Sequence, residues 1–133
     1  MENIVIAGIF LALLFNFVNG LNDAANSIAT VVATRVLTPL QAVLMAAFFN
    51  MAGPFIFTTV VAKTIGQGIV ESGFLTTEVI LVGMSAAVLW VFLSSVAGIP
   101  ISASHALVGG LIGSAIAFGG IGSVLWPSVD LFF

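Results

Sequence analysis

Hydrophobic positions run through this chain in long blocks, and the polar positions fall into a few short interruptions. Residues 4–18 form the first apolar run, which meets Asn19-Gly20. At 1.5 Å per residue that run reaches about 22 Å, short of the roughly 30 Å hydrocarbon core of a bilayer. It therefore either ends inside a membrane or continues through the polar stretch into a second apolar run over 24–37. Thr38 and Pro39 read as a helix start, with Thr as N-cap and Pro in the first turn. Residues 40–62 are long enough to span, with a kink or break expected at Gly53-Pro54. The stretch 63–77 holds Lys63, Glu71 and three glycines and predicts a loop or a short interfacial segment. Thr76 or Thr77 caps the next run, 78–98, the cleanest spanning candidate. After Pro100, residues 103–118 predict another short apolar helix rich in small residues. Gly119-Gly120-Ile121-Gly122 closes it, and Trp126 sits where an interfacial aromatic would.

Full-length runs mixed with short, Gly/Pro-interrupted ones predict an all-α integral membrane protein, with spanning helices plus short discontinuous or re-entrant helices. In transporters such interrupted segments surround a central site. Irregular backbone at that depth survives only where protein or a water-filled cavity satisfies it. Loops at the two membrane surfaces are the plainer alternative. Composition agrees on the solvent: 61% of residues are apolar, 5% are charged, and mean hydropathy is +1.32. A soluble domain carries roughly 25% charged residues. The net charge of −3 lacks the basic face that nucleic acid requires, so no nucleic-acid partner is expected. With no Cys, disulfides, thiolate metal sites and thiol catalysis are excluded. The first run has only Glu2 before it rather than a positive flank, so it reads as a retained helix and not a secretory signal. Arg35 and Lys63 alone inform the positive-inside rule, and they leave orientation open.

Two polar islands carry the candidate chemistry. The first, Asn19-Gly20-Leu21-Asn22-Asp23-Ala24-Ala25-Asn26-Ser27 with Thr30 beyond it, supplies one carboxylate, several amides and two hydroxyls. Hard cations such as Na⁺ take oxygen ligands, and unwound backbone would add carbonyls. Asp23 costs roughly 2.5–3.5 kcal/mol at a helix centre in a membrane, which argues for a cation or proton as its partner. On a helix Asn22, Asn26 and Thr30 share a face, with Asp23 and Ser27 near it. An ordinary helix cap at Asn22 or Asp23 is the plainer reading.

The second island is Pro100-Ile101-Ser102-Ala103-Ser104-His105. Pro100 breaks the preceding span, and Ser102 or Ser104 can cap the helix that follows. A helix N-terminus offers free N–H groups and partial positive charge to phosphate or another oxyanion, and serine hydroxyls add donors. His105 can donate to an oxyanion or carry a proton. A packed polar residue bonded to a neighbouring helix is its plainer role. Ala106, Gly110 and Ser114, with Gly109 and Gly113, form small-residue faces suited to close helix contact. Ser104 and His105 as nucleophile and base are disfavoured, because adjacent residues on a helix point about 100° apart. No enzyme activity is expected.

Gly20-Leu21-Asn22-Asp23-Ala24-Ala25-Asn26 resembles the G-x-N-D-x-x-N signature of inorganic phosphate transporters of the PiT family. Pro100 to His105, followed by Val108-Gly109, is similar to their P-[IV]-S-T-T-H…V-G element. Residues 62–69 between the islands also resemble the family's linking segment. The resemblance implies a symporter of inorganic phosphate in the plasma membrane, multi-pass and coupled to Na⁺ or H⁺, with no other cofactor. It implies two inverted repeats, each giving one motif of each kind to a central site. By that likeness Asp23, Asn26, Ser102, Ser104 and His105 would face phosphate. Asn22, Asp23, Asn26 and Ser102 would hold Na⁺.

Three departures bear on the carry-over. Ala103 and Ser104 stand where the family has two threonines, so position 103 offers no hydroxyl. Asn50 stands where many eukaryotic relatives have glutamate. At 133 residues the chain holds one repeat, expected as a single transmembrane domain over 1–133. The expected partners are phosphate, the coupling cation, membrane lipid and a second repeat from the same or another chain, with a homo-oligomer as one form of the last. Sulfate or another oxyanion is the rival substrate, and a non-transporting membrane assembly subunit the rival class.

Overall fold

Local signals start and stop each helix. The computed structural model describes residues 2–56 and 68–130, and the side chains of all of these but 54–56. Among them are five α-helices: α1 (Glu2–Ala33), α2 (Pro39–Ile56), α3 (Thr77–Val96), α4 (Ala103–Gly119) and the single turn α5 (Trp126–Val129). A 3₁₀ turn, Ile121–Ser123, precedes α5, and the β pairing among described residues is the isolated bridge between Val70 and Val124. α1 and α3 are long and apolar enough to cross a membrane.

α1 decides between the two readings of the first apolar run: it does not stop at Asn19-Gly20 but continues helically through the whole polar island. The expectation of an unwound, carbonyl-donating first island is therefore corrected. A single glycine costs a helix only about 1 kcal/mol, and the island's amide side chains tolerate helical backbone. α1 ends beyond the island in a Schellman motif, where the Val36 N–H donates to the Val31 carbonyl and the Arg35 N–H to the Val32 carbonyl. Arg35 occupies the left-handed position with φ 58°, where glycine is the usual residue.

Thr38 caps α2 as its position predicted. The Gln41 N–H donates to Thr38 Oγ1 at 3.4 Å, and the Thr38 N–H donates to Gln41 Oε1 at 3.1 Å, a reciprocal capping box. The helix passes Gly53-Pro54 without breaking and continues to Ile56. The far end of the 40–62 run and most of the 62–69 linking segment lie outside the described residues.

Thr76 caps α3 through its Oγ1, which accepts from the Val79 N–H at 3.4 Å. α3 ends in a second Schellman motif: Ile99 N–H donates to Ser94 and Gly98 N–H to Ser95, with Gly98 at φ 68°. This stop turns the chain back into α4 within a few residues. α3 and α4 then pack along small residues. Buried Val79, Gly83, Ala87 and Val91 recur every fourth position of α3. Gly83 and Gly110 meet backbone to backbone, such that a Cβ on Gly83 would lie 3.0 Å from the Gly110 carbonyl oxygen and from Ser114 Oγ.

α1 runs parallel to α3. Gly8 lies beside Leu81 and, further along both helices, Val18 packs with Val91 and Ala103. The tip of the α3–α4 hairpin consequently comes level with Asn22. From there α1 continues for about another 16 Å at its helical rise. The α3–α4 hairpin thus packs along the first part of α1 and stops short of its end. At the other end Ile69, Val70, Val79, Ala115, Val124 and Val129 close a second apolar cluster. There the Leu125 N–H donates to the Ile69 carbonyl at 2.9 Å, and the Glu71 N–H to the Ser123 carbonyl at 3.0 Å.

Candidate ion-binding site

The two islands meet at the hairpin tip. Asn22, 8% exposed, donates through Nδ2 to the Ile101 carbonyl at 3.3 Å, joining residues 79 positions apart. Val18 puts Asn22 there: it lies one turn earlier on the same face and is anchored among Val91, Ala103, Phe15 and Ile101. The polar contact is thus the last layer of an apolar interface, where leaving an amide unpaired would cost about 1–3 kcal/mol.

A groove of about 620 Å³ opens on one side of this contact. Asn22 and Asn26 line it from α1, Ser95 from the end of α3, and Gly98, Ile99 and Pro100 from the link. Pro100 has no N–H to give the Val96 carbonyl, and among the described residues no backbone N–H donates to the carbonyls of 96–100. Two amide side chains, a serine whose hydroxyl donates to the Val91 carbonyl at 2.8 Å, and the link backbone thus line one groove, residue types that can offer oxygen to a hard monovalent cation. No group of three His, Asp or Glu gathers among the described residues, so the oxygen set is largely neutral.

A second groove of about 570 Å³ lies along the start of α4. Ser102, His105, Ala106, Gly109 and Gly110 line it from α4, with Ile101 just before that helix and Ala86 and Trp90 from α3. Ser102 is the N-cap, its Oγ accepting from the His105 N–H at 3.4 Å. That choice settles the alternative between Ser102 and Ser104. The free N–H groups of the first turn and their partial positive charge belong to this end of α4.

Of the residues singled out from sequence, Asn22, Asn26, Ser102 and His105 line one groove or the other. Asp23 and Ser104 are exposed and line neither groove. Ser27 turns its hydroxyl back to the Ala24 carbonyl at 3.1 Å. Sequence reading passed over Ser95 and Trp90, and its weight on the second island fell on serines and histidine rather than on backbone. The Ser94-Ser95 pair just before Gly98-Ile99-Pro100 was the available signal. Asn19, named within the first island, has its Oδ1 buried without a hydrogen-bond partner.

The sequence model of the phosphate transporter family matches residues 19–132, a span that takes in both islands. The chain belongs to that family. It is 49% identical over 121 residues to a "Probable low-affinity inorganic phosphate transporter" of Rhizobium meliloti (strain 1021), covering 91% of this chain and 36% of the relative. It is 44% identical over 115 residues to a protein of the same description from Bacillus subtilis (strain 168), covering 85% and 34%. The solved structure of "The sodium-dependent phosphate transporter" superposes with a TM-score of 0.89 at 36% identity, covering 98% of this chain and 34% of that one. The chain thus spans about a third of the length of the relatives it matches. Membership makes this phosphate transporter family chain a membrane protein whose relatives are transporters, not enzymes.

Proposed function

We propose that this chain is one repeat of a symporter that moves inorganic phosphate across the plasma membrane with Na⁺. In this reading 1–133 is a single multi-pass transmembrane unit, and an inverted second repeat completes the site from the same or another chain. The supporting observation is the Asn22–Ile101 hydrogen bond, which brings the oxygen-rich island and the capped helix start together across 79 residues. Asn22 and Asn26, with Asp23 and Ser102, supply oxygen to the cation. The α4 N-terminus with Ser102, Ser104 and His105 supplies donors to the oxyanion, and Asn26 reaches it from α1. Asp23 acts where the second repeat closes over the exposed face of α1, its charge balanced by the coupling cation. Two anionic groups, Asp23 and phosphate, can share one site only with cations between them, which links phosphate entry to Na⁺. The solved structure that this chain resembles, described as sodium-dependent, favours Na⁺ over H⁺.

The test is uptake of radiolabelled phosphate by proteoliposomes of the full-length protein under an imposed Na⁺ gradient. Asp23→Asn is expected to reduce uptake sharply, and undiminished uptake by that variant would remove Asp23 from the mechanism. Sulfate competing as well as phosphate would replace the substrate, since a helix N-terminus and hydroxyls recognise tetrahedral oxyanions generally.

A further inference from the structure

Asn22 belongs to the lining of the first groove, and Ile101, which its amide holds, belongs to the lining of the second. The hydrogen-bonded pair is therefore the partition between the two. Ile101 is also the residue immediately before the Ser102 cap, so whatever fixes its carbonyl fixes the entry into α4. Gly98 and Pro100 reinforce this. The left-handed turn at Gly98 and the rigid ring of Pro100 leave little slack between the end of α3 and Ile101.

We infer that Asn22 is a positioning residue that couples the two grooves, so that a cation in the first tightens the oxyanion site in the second. The inference rests on the transport reading above. A cation drawn to the Asn22 amide oxygen withdraws electrons from the amide and strengthens its N–H as a donor. The strengthened bond pulls on the Ile101 carbonyl, which orders the link and sets the first turn of α4, where the N–H groups of the oxyanion site lie. Apolar packing of Val18 against Val91 and Ala103 keeps α1 from sliding instead, so the change passes to the link. By linkage, oxyanion binding tightens the cation site by the same factor.

Two measurements on the full-length protein test this. The first is phosphate affinity with Na⁺ or with choline, in the parent protein and in Asn22→Ser. That variant keeps a neutral oxygen for the cation, but its shorter side chain does not reach the Ile101 carbonyl, which the amide contacts at 3.3 Å. The ratio of affinities with and without Na⁺ is expected to fall by roughly three- to tenfold in the variant. The second needs no substitution: hydrogen exchange over residues 98–106 of the parent protein, with Na⁺ or choline and no phosphate. Na⁺ is expected to slow exchange there in the parent protein and to have no such effect in Asn22→Ser. A variant that keeps the full Na⁺ enhancement of phosphate affinity would overturn the inference, as would parent exchange that ignores Na⁺. A parent protein that binds no phosphate at any Na⁺ concentration would sink the transport reading, while the exchange measurement would still decide whether a cation is felt at the link.

Discussion

Two glycines of α4, three residues apart, should respond unequally to the same substitution. Gly110 faces α3, and a methyl built there would sit on the Gly83 carbonyl oxygen with the Ala87 nitrogen 3.5 Å away. From the other side, a methyl on Gly83 would lie 3.0 Å from the Gly110 oxygen, inside ordinary contact distance. Both obstacles are backbone, so no side chain can rotate to make room. Gly110→Ala must therefore push α3 and α4 apart along the whole small-residue line, including the contacts of Ala87 and Val91. Overpacking of this kind costs about 1–3 kcal/mol. A Cβ on Gly113 meets nothing within 4 Å, so Gly113→Ala keeps only the helix-propensity gain of about 1 kcal/mol. Both variants gain that propensity term, so the pair is expected to differ by the overpacking cost alone, about 1–3 kcal/mol, with Gly110→Ala the less stable. Denaturant unfolding in detergent micelles measures this, using Trp90 fluorescence in a Trp126→Phe background, since Trp90 lines the groove beside Gly110. Gly110→Ala matching Gly113→Ala in stability would refute a backbone-to-backbone crossing at this point.

Three further outcomes follow from the caps and turns. Ser102→Asp keeps an N-cap oxygen, so stability should stay within about 0.5 kcal/mol. The new carboxylate faces the proposed oxyanion site, however, and phosphate uptake should fall by roughly tenfold or more through like-charge repulsion. Arg35→Gly removes a side chain from a left-handed position and should raise stability by about 1 kcal/mol in the same unfolding assay. Gly98→Ala forces a Cβ into that conformation at the hairpin tip and should cost about 1–2 kcal/mol, with faster hydrogen exchange over 98–106.

Much of the helix framework was legible because its signals are local. Thr38 with Gln41, Thr76 and Ser102 cap helices through partners three residues away, so their roles depend on nothing distant. Gly98 before Pro100 likewise marks a stop in any context. The course of α1 was not legible. A glycine inside a cluster of amides reads as a break, yet the helix continues because Asn22 finds a tertiary partner and Val18 a packed interface. Small residues at 106, 110 and 114 pointed to a close helix contact, but the partner glycine at 83 and the open surroundings of Gly113 appear only in three dimensions.

The sequence by itself determined the solvent, the residue types available for ions, and the family motifs, since composition and short spacings carry those properties. Tertiary structure decided which of those residues share a groove. It set Asn22 and Asn26 of the first island beside Ser95 and the link 98–100 in one groove, and it left Asp23 and Ser104 outside both grooves. The physical reason is the parallel packing of α1 on α3. That packing levels Asn22 with a hairpin tip 79 residues away, and no local periodicity encodes such a register.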